Sequence, residues 1–286
     1  MLTDAHAHPR DLLRLDPGAE AERRRLGISC AASAWDGEEF SFHEDLAAAA
    51  EKDGAARIFP CFAVHPQLPA REAASAAKSA GEQGAGGSFR ESLELLDKLA
   101  AAGRIAAVGE TGFDFYNRAF RATEKIQDEL FAFHLETARR RGLPLVLHVR
   151  RAMDKIFTHT RALKALPAVV FHSWPGAPGE GLSLLRRGVN AFFSFGTPLL
   201  LNHKNAIRSC AAFPAERLLL ETDAPYQPPG GAEFSRWADL PAVLAAAAAI
   251  RKEAAVPGAG AEELERITER NFFSVFRRTA PQGGIS

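Results

Sequence analysis

Cysteine is scarce: Cys30, Cys61 and Cys210 stand far apart and form no CxxC pair. An odd, scattered set excludes a disulfide scaffold or a zinc knuckle and suits a reducing compartment. An excess of one charge is also missing, because 35 Lys and Arg balance 35 Asp and Glu across 286 residues. A chain that coats nucleic acid without a defined site carries a basic excess, so any such role here has to be local. No apolar run reaches the ~20 residues of a membrane span. The longest, residues 240–250, is interrupted by Pro241. Near the N-terminus an acid, Asp4, stands where a signal peptide carries basic residues, and no apolar stretch follows. A cytoplasmic protein without membrane contact or obligate protein partner is expected. No Gly-rich fingerprint follows the first apolar run, which weakens a doubly wound open sheet.

What is present fits a large folded core, with 47% hydrophobic and 24% charged residues. Eight short apolar runs predict strands at 2–6, 28–33, 58–64, 105–109, 143–147, 168–171, 191–195 and 218–220. Helical spacing fills the intervals, most clearly over 126–141, where Ile126, Leu130, Phe133 and Ala138 fall near one face before Gly142. Eight such alternations predict an α/β fold, a (β/α)8 TIM-like barrel in one domain over 1–286. Residues 69–88, dense in Ala, Ser and Gly, read as a flexible insertion, and 227–232 as a tight exposed loop.

The chemistry is in the positions of the histidines and acids. His6 and His8 share a face of an extended segment, the geometry for two imidazoles on one metal. His65 follows the third predicted strand, Glu110 the fourth, His148 the fifth, His172 the sixth and Asp223 the eighth. A lone histidine at a strand end is more often a satisfied polar residue than a ligand, and His43, His134, His159 and His203 are placed in that class. Ligand-type residues at so many strand ends are hard to obtain by chance. A barrel opens all those ends on one face, where active sites are built.

Six segments carry a resemblance: Asp4–His8, Ala63-Val64-His65-Pro66, Val108-Gly109-Glu110-Thr111-Gly112-Phe113-Asp114, Leu147-His148-Val149-Arg150, Phe171-His172-Ser173 and Glu221-Thr222-Asp223-Ala224-Pro225-Tyr226. In that order they resemble the TatD family of metal-dependent hydrolases, and Asn271 with Phe276 resembles the family's closing helix. The resemblance implies a distorted barrel, two divalent ions (Zn, Mg or Mn) and a deoxyribonuclease; because a barrel mouth admits a strand end more easily than a paired helix, single-stranded or frayed DNA is the expected substrate. It implies that His6, His8 and Asp223 hold one ion, His148 and His172 the other, and Glu110 both. Asp223 would serve as general base and His65 would neutralise a phosphoryl oxygen. Arg150 would assist in binding the substrate or, equally, form a surface ion pair. Trp174, with Trp35, Phe113, Phe115 and Tyr116, would stack on bases or, equally, cap the barrel top. His172-Ser173-Trp174-Pro175-Gly176 departs from the family's usual Cys-Phe-Ser-Gly after the histidine, and Arg151 stands where an acid is frequent, so substrate choice rests on the rim.

Two other function classes compete. A small-molecule amidohydrolase or lactonase uses the same barrel, often with a carboxylated lysine bridging its metals, and no lysine closes a predicted strand here. A binding module on an inactive barrel would have lost a ligand, and none is missing.

Overall fold

The computed structural model describes residues 1–78 and 89–277. Its strands are β1 Thr3–Ala7, β2 Ser29–Ala34, β3 Ile58–Phe62, β4 Ala107–Asp114, β5 Leu145–Arg150, β6 Val169–Phe171, β7 Ala191–Phe195 and β8 Leu218–Leu220. All neighbours pair in parallel and in chain order from β1 to β8. The ring is drawn together beyond the end of β8, where Asp223 N donates to His6 O at 3.0 Å and His8 N to Ala224 O at 2.8 Å. The sheet is thus a nearly closed barrel with helices between its strands.

Two expectations need correcting. The fourth strand runs to Asp114 rather than stopping near 109. Gly109 and Gly112 permit this, because a Cβ on Gly109 would sit 2.5 Å from Val146 Cβ. On Gly112 it would sit 2.1 Å from the His148 carbonyl oxygen. Only glycine lets β4 lie this close to β5. The second correction concerns 69–88: Leu68–Lys78 is helical. Alanine is the strongest helix former, and Pro69 fits the first turn, where its missing N–H costs nothing. Residues 79–88 lie outside the described residues. The helix read at 126–141 spans Glu124–Arg141, and Gly142 ends it in the left-handed region at φ 61°.

Apolar side chains pack in two layers. One lies between strands and helices, and the other fills the barrel with Ala5, Ala31, Phe59, Val146, Val170, Phe192 and Leu219. The helix Ala261–Phe276 plugs the N-terminal end. Phe272 meets Phe59 with ring centres 5.4 Å apart, and Asn271 Nδ2 donates to the carbonyls of Ala215 and Leu218 at 2.9 Å each. Among the described residues this fills the bottom of the barrel, and the cavity lined by the strand-end histidines opens at the C-terminal ends. All three cysteines are buried free thiols. Among the described residues no helix is long and apolar enough to cross a membrane.

Candidate metal centre

Alternation along the strands puts one polar residue above each apolar one inside the barrel. Val146 is followed by His148, Val170 by His172 and Leu219 by Glu221. In β1 an irregularity in the pairing between Asp4 and Ala7 lets His6 turn inward just above Ala5. Glu110 stands on the strand whose glycines bring it against β5.

These side chains converge. His6 Nε2 lies 3.2 Å from His8 Nε2 and 3.1 Å from Glu110 Oε2. Asp223 Oδ1 lies 3.6 Å from each of those two nitrogens. The other oxygen of Glu110, Oε1, lies 2.7 Å from His148 Nδ1, 3.0 Å from His172 Nε2 and 3.1 Å from His65 Nε2. Glu110 therefore presents one oxygen to the β1 histidines and the other to those of β5 and β6. Three overlapping sets have donor atoms close enough for an ion: His6–His8–Glu110, His6–His172–Asp223 and His65–Glu110–His148. A buried set of imidazoles and carboxylates fits a first-row divalent cation or Mg²⁺. The buried His8 Nδ1, His172 Nδ1 and Glu221 Oε2 make no hydrogen bond of their own.

Hydrogen bonds fix which ring nitrogen is available. The backbone N–H of Gln67 donates to His65 Nδ1 at 3.2 Å, so neutral His65 carries its proton on Nε2 and offers Glu110 a donor. That argues against His65 as a ligand despite its place in the third set. His148 is the opposite case. Its Nε2 lies 2.9 Å from Asp114 Oδ2, an acceptor, which puts the proton there and leaves the Nδ1 lone pair for an ion. His172 Nδ1 lies 3.5 Å from Glu221 Oε1, and His6 Nδ1 lies 3.2 Å from Ser33 Oγ.

Charge is shared unequally. Burial pushes the Glu110 carboxyl up, but His65, His172 and His6 outweigh it and hold the group well below the usual carboxylate range. Burial disfavours charge on His172, yet Glu110 and Glu221 keep it protonated well above the usual range. Burial drives His8 well below its usual value, helped by neighbouring His6. Burial raises Asp223 to about 6, against the pull of His172 and His6, and Gln227 Nε2 donates to its Oδ2 at 2.6 Å.

The cavity above holds about 850 Å³ and is lined by His8, His65, Glu110, His148, His172 and Asp223, with His6 buried beneath. Arg150 borders it with its guanidinium 3.6 Å from the centre of the Tyr116 ring. Trp174 also borders it but is not a free stacking surface. It is 4% exposed, its indole N–H donates to Ser209 Oγ at 3.0 Å, and Phe171, Phe193 and Phe213 pack edge-to-face with it. Phe113 and Phe115, read as rim aromatics, are core residues at 0% and 6% exposure. Trp35 and Tyr116 are exposed at the rim as read, together with Tyr226, which was not singled out. His43 and His134 are buried acceptors of backbone N–H groups, whereas His203 lines the cavity. Asp114 and Glu221 stand inside the segments that carry the resemblance but have no role assigned from sequence, and Ser33 and Gln67 are not read as site residues at all. Glu221 carried a signal, standing two residues before Asp223, whereas Gln67 carried none.

A family model described as TatD related DNase matches residues 3–277. The 3'-5' ssDNA/RNA exonuclease TatD of Dickeya dadantii is 32% identical over 197 residues, covering 65% of this chain and 70% of that protein. An uncharacterised metal-dependent hydrolase TatD of Mycobacterium tuberculosis is 34% identical over 137 residues, 47% of this chain and about half, 52%, of that protein. The crystal structure of YJJV, a TatD homologue from Escherichia coli, superposes with a TM-score of 0.77 at 22% identity, covering 97% of this chain and 98% of that one. The family match over nearly the whole length coincides with the barrel and its histidine-carboxylate mouth: this chain belongs to the family of TatD-related DNases.

Proposed function

We propose that the protein is a divalent-metal-dependent phosphodiesterase, a TatD-type deoxyribonuclease that hydrolyses single-stranded or frayed DNA in the cytoplasm. The observation that carries this is the bridging position of Glu110, whose two oxygens face separate histidine sets at 3.1 Å and 2.7 Å. His6, His8 and Asp223 would hold one ion, His148 and His172 a second, and Glu110 both. When bound, such ions supply Lewis-acid polarisation of a phosphoryl oxygen and acidify a water.

The chain's own groups do the rest. Asp223, held by Gln227 and facing His6 and His8, is placed to accept a proton from the attacking water. His65 turns its Nε2–H toward the centre and donates to a phosphoryl oxygen. Asp114 orients His148 from behind through a hydrogen bond, and the Glu221 carboxylate faces His172 Nδ1 at 3.5 Å as a counter-charge. Arg150 neutralises a phosphate at the rim. The apolar bottom closes the site on one side and excludes water beneath it.

The test is metal add-back. Protein stripped with EDTA and reloaded separately with Zn²⁺, Mg²⁺ or Mn²⁺ is assayed on a labelled single strand, on blunt duplex, and on ester and amide substrates. Cleavage of the single strand, faster than duplex and restored by a divalent ion, is expected. Ester or amide turnover without phosphodiester cleavage under any metal overturns the proposal in favour of a small-molecule amidohydrolase.

A further inference from the structure

Among the described Trp, Tyr and Phe side chains, Trp35, Tyr116 and Tyr226 are the exposed ones, and all three line the cavity above the histidines. They stand on chemically different walls. Trp35 follows β2 and Tyr226 follows β8, flanking β1. There the cation Arg10 is neutralised by Glu38 at 2.6 Å and Asp36 at 3.7 Å, and the Tyr226 hydroxyl donates to Asp11 at 2.7 Å. That wall offers rings but no spare positive charge.

The wall at the ends of β3, β4 and β5 is different, because its arginines have neutral partners. Arg71 Nη2 donates to the Gln67 side-chain oxygen at 2.7 Å, and Arg151 Nη1 donates to the Tyr116 carbonyl at 2.9 Å. The guanidiniums of Arg150 and Arg151 lie 3.6 Å and 4.8 Å from the Tyr116 ring centre, within the range of cation–π attraction. In a chain of zero net charge this is a local surplus at the mouth. It combines what a single strand needs: cations for phosphates, and a flat, polarised stack against which an unpaired base can lie. Arginine suits both tasks, since its delocalised fork binds phosphate and stacks on rings.

We propose that Tyr116, Arg150, Arg151 and Arg71 form the subsite for the nucleotide flanking the scissile phosphate. The strand's phosphates lie on Arg71 and Arg150, and its base stacks on the Tyr116–Arg150 pair. This rests on the phosphodiesterase function proposed above and adds the path of the substrate, along the β3–β5 wall rather than the acidic wall beside β1. A duplex keeps its bases covered by their neighbours, so the subsite selects for unpaired strands.

The experiment compares wild type with Arg150→Gln and Tyr116→Ala on a hexathymidylate and on bis(p-nitrophenyl) phosphate, which has no flanking nucleotide. Each variant is expected to lose about tenfold more kcat/KM on the hexanucleotide than on the small diester, the size of one stacking contact. A second measurement needs no turnover: binding of a fluorescent oligothymidylate in EDTA across a salt series. Arg150→Gln is expected to reduce the slope of log K against log salt by about 0.7, one phosphate contact on a single strand. Equal losses on the two substrates, or an unchanged salt slope, overturn the subsite. Failure of wild type to hydrolyse either diester with any metal would instead sink the phosphodiesterase function, while the salt slope still decides the subsite.

Discussion

The two ends of this barrel make opposite use of the same strands. At the N-terminal end Phe59, Leu219, Phe272 and Phe276 meet in a buried apolar plug. At the C-terminal end, one inward step further along β5 and β6, Val146 gives way to His148 and Val170 to His172. That step is about 7 Å. Over it the interior changes from pure apolar packing to a cluster of imidazoles and carboxylates that would each be costly to bury alone. The apolar end carries the cost of holding the polar one. Stability and chemistry are therefore separable along the barrel axis, and substitutions should sort accordingly.

The largest effect is expected at the polar end. Glu110→Gln removes the charge facing both histidine sets and should reduce metal-restored hydrolysis by at least about 10³-fold. Its circular dichroism should stay that of wild type. Turnover near the wild-type rate would break the assignment of Glu110 as the bridge.

The complementary change is Phe272→Ala, which opens a cavity among Phe59, Phe273 and Phe276. It should cost about 3–5 kcal/mol of stability in urea unfolding while leaving turnover per folded molecule unchanged. A loss of turnover matching the loss of stability would show that the two ends are not independent.

The smallest expected effect probes the boundary. His134 accepts from Val64 N at 3.2 Å and pairs with Thr111 Oγ1 at 2.6 Å, tying the end of β3 to β4 just outside the site. Burial lowers its pKa from 6.5 to about 3. The unfolded chain then takes up a proton that the folded chain refuses, so stability contributed by this group is lost as pH falls from 6.5 toward 3. The slope is at most about 1.4 kcal/mol per pH unit. His134→Gln should lose less stability than wild type between pH 6.5 and 5.5, by about 1 kcal/mol in urea midpoints. Equal acid sensitivity would mean His134 titrates like an exposed histidine.

Much of the site was legible because it is periodic. Eight apolar runs mark eight strands, and His6, His8, Glu110, His148, His172 and Asp223 fall near their ends, so a barrel alone was enough to bring them together. Legibility failed where composition and context diverged. The Ala-rich start of the 69–88 stretch reads as a linker until alanine's helix preference is weighed, and Leu68–Lys78 is a helix. Trp174 reads as a rim ring because it follows a strand, yet Ser209 and three phenylalanines, Phe171 on β6, Phe193 on β7 and Phe213 just after the helix Lys204–Ala212, draw it into the core.

By itself, then, the sequence determined the fold class, the face on which chemistry is built and the residue types gathered there, since these follow from alternation and spacing within single segments. Only the tertiary structure decided which ring nitrogen of His148 and of His65 carries the proton. His148 takes its tautomer from Asp114, 34 residues earlier, and His65 from the backbone of Gln67. It also decided that Arg150 lies on Tyr116 and that Glu221 backs His172. The physical reason is that a residue's facing direction is local, set by the pleat of its own strand, whereas its partner is set by the register and closure of all eight.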